Sequence, residues 1–95
     1  MFLHITDAKH LDEYKVEVAF NNGQKGIADL FEALHGPVFE QLKNQSIFSS
    51  FTVDKELETI VWPNGADLAP EYIFFQAFKN ASDLQEQFRK WGYIS

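Results

Sequence analysis

The chain has no cysteine. That excludes disulfides, thiolate nucleophiles and cysteine-based zinc sites, and it fits a reducing, cytoplasmic setting. Basic residues are scarce: eight Lys and Arg stand against fourteen Asp and Glu, a formal net charge of -6. Binding to a phosphate backbone needs clustered Lys and Arg, so direct nucleic-acid binding is not expected. Long apolar runs are missing as well. Met1-Phe2-Leu3-His4 passes at once into polar residues, and no stretch approaches the roughly 20 apolar residues of a membrane span, so neither a signal peptide nor a membrane segment is expected. With three prolines and five glycines, each is read as punctuation.

What is present is apolar and aromatic. Of 95 residues, 45% are hydrophobic and ten are Phe, enough for one domain with a substantial core. Tyr14 to Phe20 alternates cleanly, with Tyr14, Val16, Val18 and Phe20 on one side and Lys15, Glu17 and Ala19 on the other. That pattern predicts a strand of an antiparallel sheet covered on one face. A strand over Phe2–Ala8 precedes it, and Asn22-Gly23 predicts a hairpin through a primed turn into a strand over 24–28, where Gly26 suggests a bulge. Asp29 caps a short helix over 30–35, Gly36-Pro37 restarts the chain, and Ile47 and Phe48 plug the core from a single turn. Phe51–Asp54 and Thr59–Trp62 form a second hairpin with Phe51, Val53, Ile60 and Trp62 on one face.

The richest stretch follows. Pro63 ends the strand, Asn64-Gly65 turns the chain, Asp67 caps local amides, and Pro70 opens a helix at its first position with Glu71 in the first turn. Ile73, Phe74, Ala77 and Phe78 form its apolar stripe. Ser82 and Gln85 have the spacing of a capping box for a last helix over 83–91, with Leu84, Phe88 and Trp91 on one face and Gly92 as its stop. The predicted fold class is α+β: a small antiparallel sheet of two hairpins and about five strands, with short helices and one or two C-terminal helices packed on one face.

Taken together, the Tyr14–Phe20 hairpin with Asn22-Gly23, the passage from Gly26 to Leu30, Phe51-Thr52-Val53-Asp54 and above all Thr59-Ile60-Val61-Trp62-Pro63-Asn64-Gly65-Ala66-Asp67-Leu68-Ala69-Pro70-Glu71 resemble the prokaryotic domain-of-unknown-function 2442 family. The resemblance runs to about Phe78, so residues 1–79 are read as the family-like domain and 80–95 as a C-terminal helical extension of it. It implies a small bacterial α+β module with no assigned catalytic residue. Some members are fused to a helix-turn-helix domain, which has no counterpart here. Many are encoded beside another small protein in a toxin–antitoxin-like arrangement.

The chemistry-bearing residues add little. His4 and His10 share strand parity but would sit roughly 20 Å apart along one strand, and His35 is isolated, so no metal or other cofactor is expected. No nucleophile elbow or phosphate-binding glycine loop is present. Phe39, Phe48, Phe51, Phe74, Phe75 and Phe78 exceed what so small a core is expected to absorb. The surplus points to an aromatic interaction surface, with Trp62, Asn64, Asp67, Phe74, Phe78, Phe88 and Trp91 as candidates. The expected function is a non-catalytic protein–protein interaction or antitoxin-like regulatory module. Its partner would be another small, basic protein encoded nearby, or a second copy of itself. The alternative is a small-ligand-binding or enzymatic domain built on the Asn64–Asp67 turn.

Overall fold

The computed structural model describes residues 2–94. Met1 and Ser95, the outer ends of the two expected segments, lie outside the described residues. Among the described residues, five strands form two antiparallel sheets. β1 (Ile5–His10), β2 (Lys15–Phe20) and β3 (Lys25–Asp29) make a three-stranded meander in sequence order, and β4 (Thr52–Asp54) pairs with β5 (Thr59–Val61). The described residues also form four short α-helices, α1 (Pro37–Glu40), α2 (Gln45–Phe48), α3 (Pro70–Phe78) and α4 (Gln85–Trp91), and three single 3-10 turns. The architecture is α+β, with the C-terminal helices packed against the sheet.

β2 is the central strand, and its alternation is realised. Val16, Val18 and Phe20 are buried, Tyr14 packs against the core from the strand's entry, and Lys15 is exposed. β1 starts and ends later than its apolar residues suggested. Residues 2–4 are held instead by the Asn21 side chain, whose Oδ1 accepts the His4 N–H at 2.9 Å and whose Nδ2 donates to the Phe2 carbonyl at 2.8 Å. Lys9 and His10 continue the ladder opposite Glu17 and Val16, and the register shifts between Ile5 and Asp7.

The β2–β3 connection is not a primed turn. Phe20 faces Gln24 across a three-residue loop in which Gly23 alone takes a positive φ, +86°. This is a type I turn closed by a left-handed glycine. The same device recurs after β5. The Trp62 N–H donates to the Ala66 carbonyl, the Gly65 N–H donates to the Trp62 carbonyl, both at 2.9 Å, and Gly65 sits at φ +90°. In both loops the Asn before the glycine accepts an N–H two residues on, Asn22 from Gln24 and Asn64 from Ala66, each at 3.0 Å.

Gly26 is not at a bulge, because the β2–β3 register is unbroken. A Cβ there would lie 2.9 Å from Phe78 Cζ and 3.4 Å from Ala77 Cβ. The glycine lets α3 settle on the inner face of β3.

The two sheets are stapled through Glu58, which takes a positive φ of 59° in the β4–β5 turn. Its carbonyl accepts the Ile5 N–H at 3.0 Å, and its carboxylate lies 3.1 Å from His4 Nδ1. Two aromatic clusters fill the interior. One is centred on Phe48, whose ring meets those of His10, Tyr14, Phe51 and Trp62. The other is centred on Phe74, which meets Phe20, Phe78, Phe88 and Trp91. These clusters absorb the aromatic surplus. Phe48 and Phe74 are buried, and Phe39, Phe51, Phe75 and Phe78 all pack against the core.

α4 begins at Gln85, later than predicted, and Ser82 does not cap it. Gln85 Nε2 instead donates back to the carbonyls of Lys79 and Ala81 at 2.8 and 2.9 Å. Gly92, at φ +87°, closes the helix: its N–H and that of Tyr93 donate to the carbonyls of Arg89 and Phe88. That is a Schellman arrangement, as its position after an apolar stripe suggested.

Candidate functional site

The corner from Trp62 to Glu71 holds most of the sequence signal, and its polar groups are engaged internally. Trp62 is 2% exposed, and its indole N–H donates to the Phe48 carbonyl at 2.8 Å. Asn64 is exposed, but its side chain is committed. Oδ1 accepts the Ala66 N–H, while Nδ2 donates to the Val38 carbonyl and Gln41 Oε1, both at 3.1 Å. One amide thus closes the turn and ties it to the α1 region. Thr59 Oγ1 donates to the Leu68 carbonyl at 2.6 Å, and Val61 pairs with Asp67 through the backbone. Asp67 is exposed, and no side chain caps α3, which begins at Pro70 with Ala69 before it. Asp67 therefore serves the corner through its main chain rather than as a cap.

Of the residues expected on an interaction surface, Trp62, Phe74 and Phe88 are core. They are buried in the two aromatic clusters and offer no ring to a partner. Phe78 is half-buried over Gly26, and Trp91 is half-buried against Phe74 and Phe88. Only Asn64 and Asp67 of that set lie on the surface, on one corner. The aromatic rings that are exposed, Phe2 at 89% and Phe31 at 52%, carry no periodic signal that would have singled them out.

Open space lies on the side of the corner facing α1. A groove of about 320 Å³ is lined by Ala33, His35, Phe39, Leu68 and Tyr72. Its polar features are His35 and Tyr72, whose hydroxyl already accepts from Gln76 Nε2 at 3.0 Å. Three lining residues adjoin acidic ones in sequence: Glu32 before Ala33, Glu40 after Phe39 and Asp67 before Leu68. Phe31 and Val38, both exposed, come from the same two segments. Sequence reasoning missed this groove. Its walls come from five residues scattered between 33 and 72, of which only Leu68 lies in the Thr59–Glu71 stretch, with Tyr72 just beyond it.

A second groove of about 320 Å³ involves Phe2, Asn21, Glu71 and Trp91. Nearby, Tyr93 stacks on Phe75 at 5.0 Å and meets Tyr72 edge-on at 5.8 Å. Burial, then the Glu71 carboxylate, then Tyr72 push the Tyr93 hydroxyl above its ordinary pKa. The neutral phenol is therefore the folded form. Its contribution to stability is intact below a pH of about 10 and is lost as pH rises through the raised value.

Among the described residues no group of three or more His, Asp or Glu could hold a metal ion, and no helix is long and apolar enough to cross a membrane. Fold and surface together define a small α+β module whose densest sequence motif is a corner with internally engaged polar groups, beside which lies an apolar groove. The chain belongs to the family described as protein of unknown function (DUF2442), whose model matches residues 5–79. No curated protein and no solved structure matches it.

Proposed function

We propose that this chain is a non-catalytic protein–protein interaction module. Its groove of Ala33, His35, Phe39, Leu68 and Tyr72 receives an apolar side chain of a small basic protein. The groove carries the reading: it is apolar, open and large enough for one or two side chains, and it adjoins the corner that the family model covers. Exposed Phe31 and Val38 extend the apolar contact, and exposed Asp67 supplies negative charge for a basic partner, while Glu40 and Glu32 already face Lys43 at 3.1 Å and Lys79 at 4.0 Å. The net charge of -6 acts in the same direction over longer range. An antitoxin-like role, neutralising a small partner encoded nearby as the family resemblance implies, is compatible with this chemistry. A ligand or catalytic site on the Asn64–Asp67 turn has less to work with, since the Asn64 amide is fully engaged.

The test is co-expression with the small basic product of the neighbouring gene, using the wild-type chain and His35→Lys. His35 is exposed, so the substitution leaves the fold intact while placing a cation inside an apolar groove. Stoichiometric capture by the wild type, weakened about tenfold or more by His35→Lys, is the expected result. Equal capture by both chains refutes the groove as the contact. Absence of any partner, with the groove variant indistinguishable in every assay, refutes the module itself.

A further inference from the structure

Asn-Gly occurs twice, at Asn22-Gly23 and Asn64-Gly65, in two loops of the same build. The pair is chemically labile. Glycine has no Cβ to keep its amide nitrogen away from the neighbouring side chain, so that nitrogen can attack Cγ of the asparagine. The glycine N–H gives up its proton to base, and the N–Cγ bond forms. The Cγ–Nδ2 bond breaks, and Nδ2 takes up a proton and departs as ammonia. Water then opens the cyclic imide. Breaking the new N–Cγ bond leaves aspartate. Breaking the original peptide C–N bond leaves isoaspartate, in which the main chain runs through Cβ and Cγ. The sum consumes water and releases ammonia, with no change of oxidation state.

The structure separates the two pairs. Their glycine nitrogens are held alike: the Gly23 N–H donates to the Phe20 carbonyl at 3.0 Å, and the Gly65 N–H donates to the Trp62 carbonyl at 2.9 Å. The space where a Cβ would stand is open at both glycines. Each asparagine Oδ1 accepts an N–H two residues on, at 3.0 Å. The difference lies at the leaving group. Asn64 Nδ2 donates to the Val38 carbonyl and to Gln41 Oε1, both at 3.1 Å. Asn22 is exposed, and its Nδ2 donates to no described residue. Turning Cγ toward the glycine nitrogen therefore breaks one side-chain hydrogen bond at Asn22 and three at Asn64.

We infer that Asn22 is a site of spontaneous deamidation and isomerisation in the folded protein, and that Asn64 is protected by its two Nδ2 acceptors. The product adds negative charge to a chain already at -6. Asn22 lines the same groove as Glu71, so the new carboxylate meets a like charge there. Isoaspartate also lengthens the main chain of the loop. Asn21 beside it holds Phe2 and His4, so the change reaches the N-terminal segment.

The test incubates the full folded chain at neutral and mildly alkaline pH. Deamidation is followed by peptide mass spectrometry after trypsin, net of an unincubated control. Cleavage after Lys15, Lys25, Lys55 and Lys79 puts the two pairs in separate peptides, 16–25 and 56–79, and fragmentation distinguishes Asn22 from Asn21. In the folded chain Asn22 should react about fivefold faster than Asn64 or more, the factor that two further hydrogen bonds impose. Both rates should rise with pH, because the glycine N–H must lose its proton. In concentrated urea, where neither loop persists, the two rates should largely converge. Gln41→Ala, at an exposed position, removes one Nδ2 acceptor. It should speed Asn64 about two- to tenfold and leave Asn22 unchanged. Equal rates in the folded chain, an Asn22 that stays intact until the chain is unfolded, a difference that persists in urea, or an Asn64 rate indifferent to Gln41→Ala overturns the inference.

Discussion

Trp62→Ala is expected to lower the unfolding free energy by about 3–5 kcal/mol, the range for truncating a large buried aromatic. Two effects add. The indole leaves a cavity beside the rings of Phe48 and Phe51, which it meets at 5.7 and 6.2 Å. The Phe48 carbonyl also loses its indole donor. Trp62→Phe separates them. It keeps most of the apolar volume but leaves the carbonyl unpaired, which costs about 1–3 kcal/mol. A domain of this kind has about 5–15 kcal/mol in all, so the alanine variant should be partly unfolded near room temperature in mild urea. Urea titration followed by far-ultraviolet circular dichroism reads both values. An alanine variant with an unchanged midpoint would show that Trp62 is not a core residue.

Phe88→Ala should have an effect of similar size, about 3–5 kcal/mol. Phe88 is fully buried, with Phe75 edge-on at 5.0 Å and Phe74 and Trp91 at 6.1 and 6.0 Å. It lies beyond residue 79, where the family match ends, so α4 could be taken for an appendage. The packing says otherwise. Without α4, the outer sides of Phe74 and Phe75 on α3 lose their cover. A single cooperative urea transition, shifted down by Phe88→Ala, is the expected outcome. A variant that unfolds like the wild type would make α4 a separable tail.

Much of the fold is legible in the sequence because it is local. The alternation of β2, the Asn-Gly turn signals, Pro70 at a helix start and Gly92 at a helix stop each act within a few residues of themselves. The misreadings share a different cause. Gly26 suggests a bulge because the ring that requires it, Phe78, is remote in sequence. Ser82 and Gln85 have the spacing of a capping box, but Gln85 finds carbonyls on the preceding turn instead. Composition alone puts Trp62, Phe74 and Phe88 on a surface, because it counts aromatics without revealing how they nest. The rings nest in two groups, around Phe48 and around Phe74, within one continuous core. The groove is illegible for the same reason as Gly26: its walls come together only in three dimensions.

On the proposed function, the Trp62–Glu71 corner is architecture and the contact surface lies beside it. Asn64→Ala tests that division most directly, because Asn64 is exposed and yet holds three hydrogen bonds. The measurement is urea unfolding of the variant together with its capture of the basic partner per mole of folded protein. The expected result is a loss of about 1–2 kcal/mol, from bonds worth about 0.5–1.5 kcal/mol each in a partly wet setting, with capture unchanged. Unaltered stability together with lost capture would contradict this and make the corner itself the binding site.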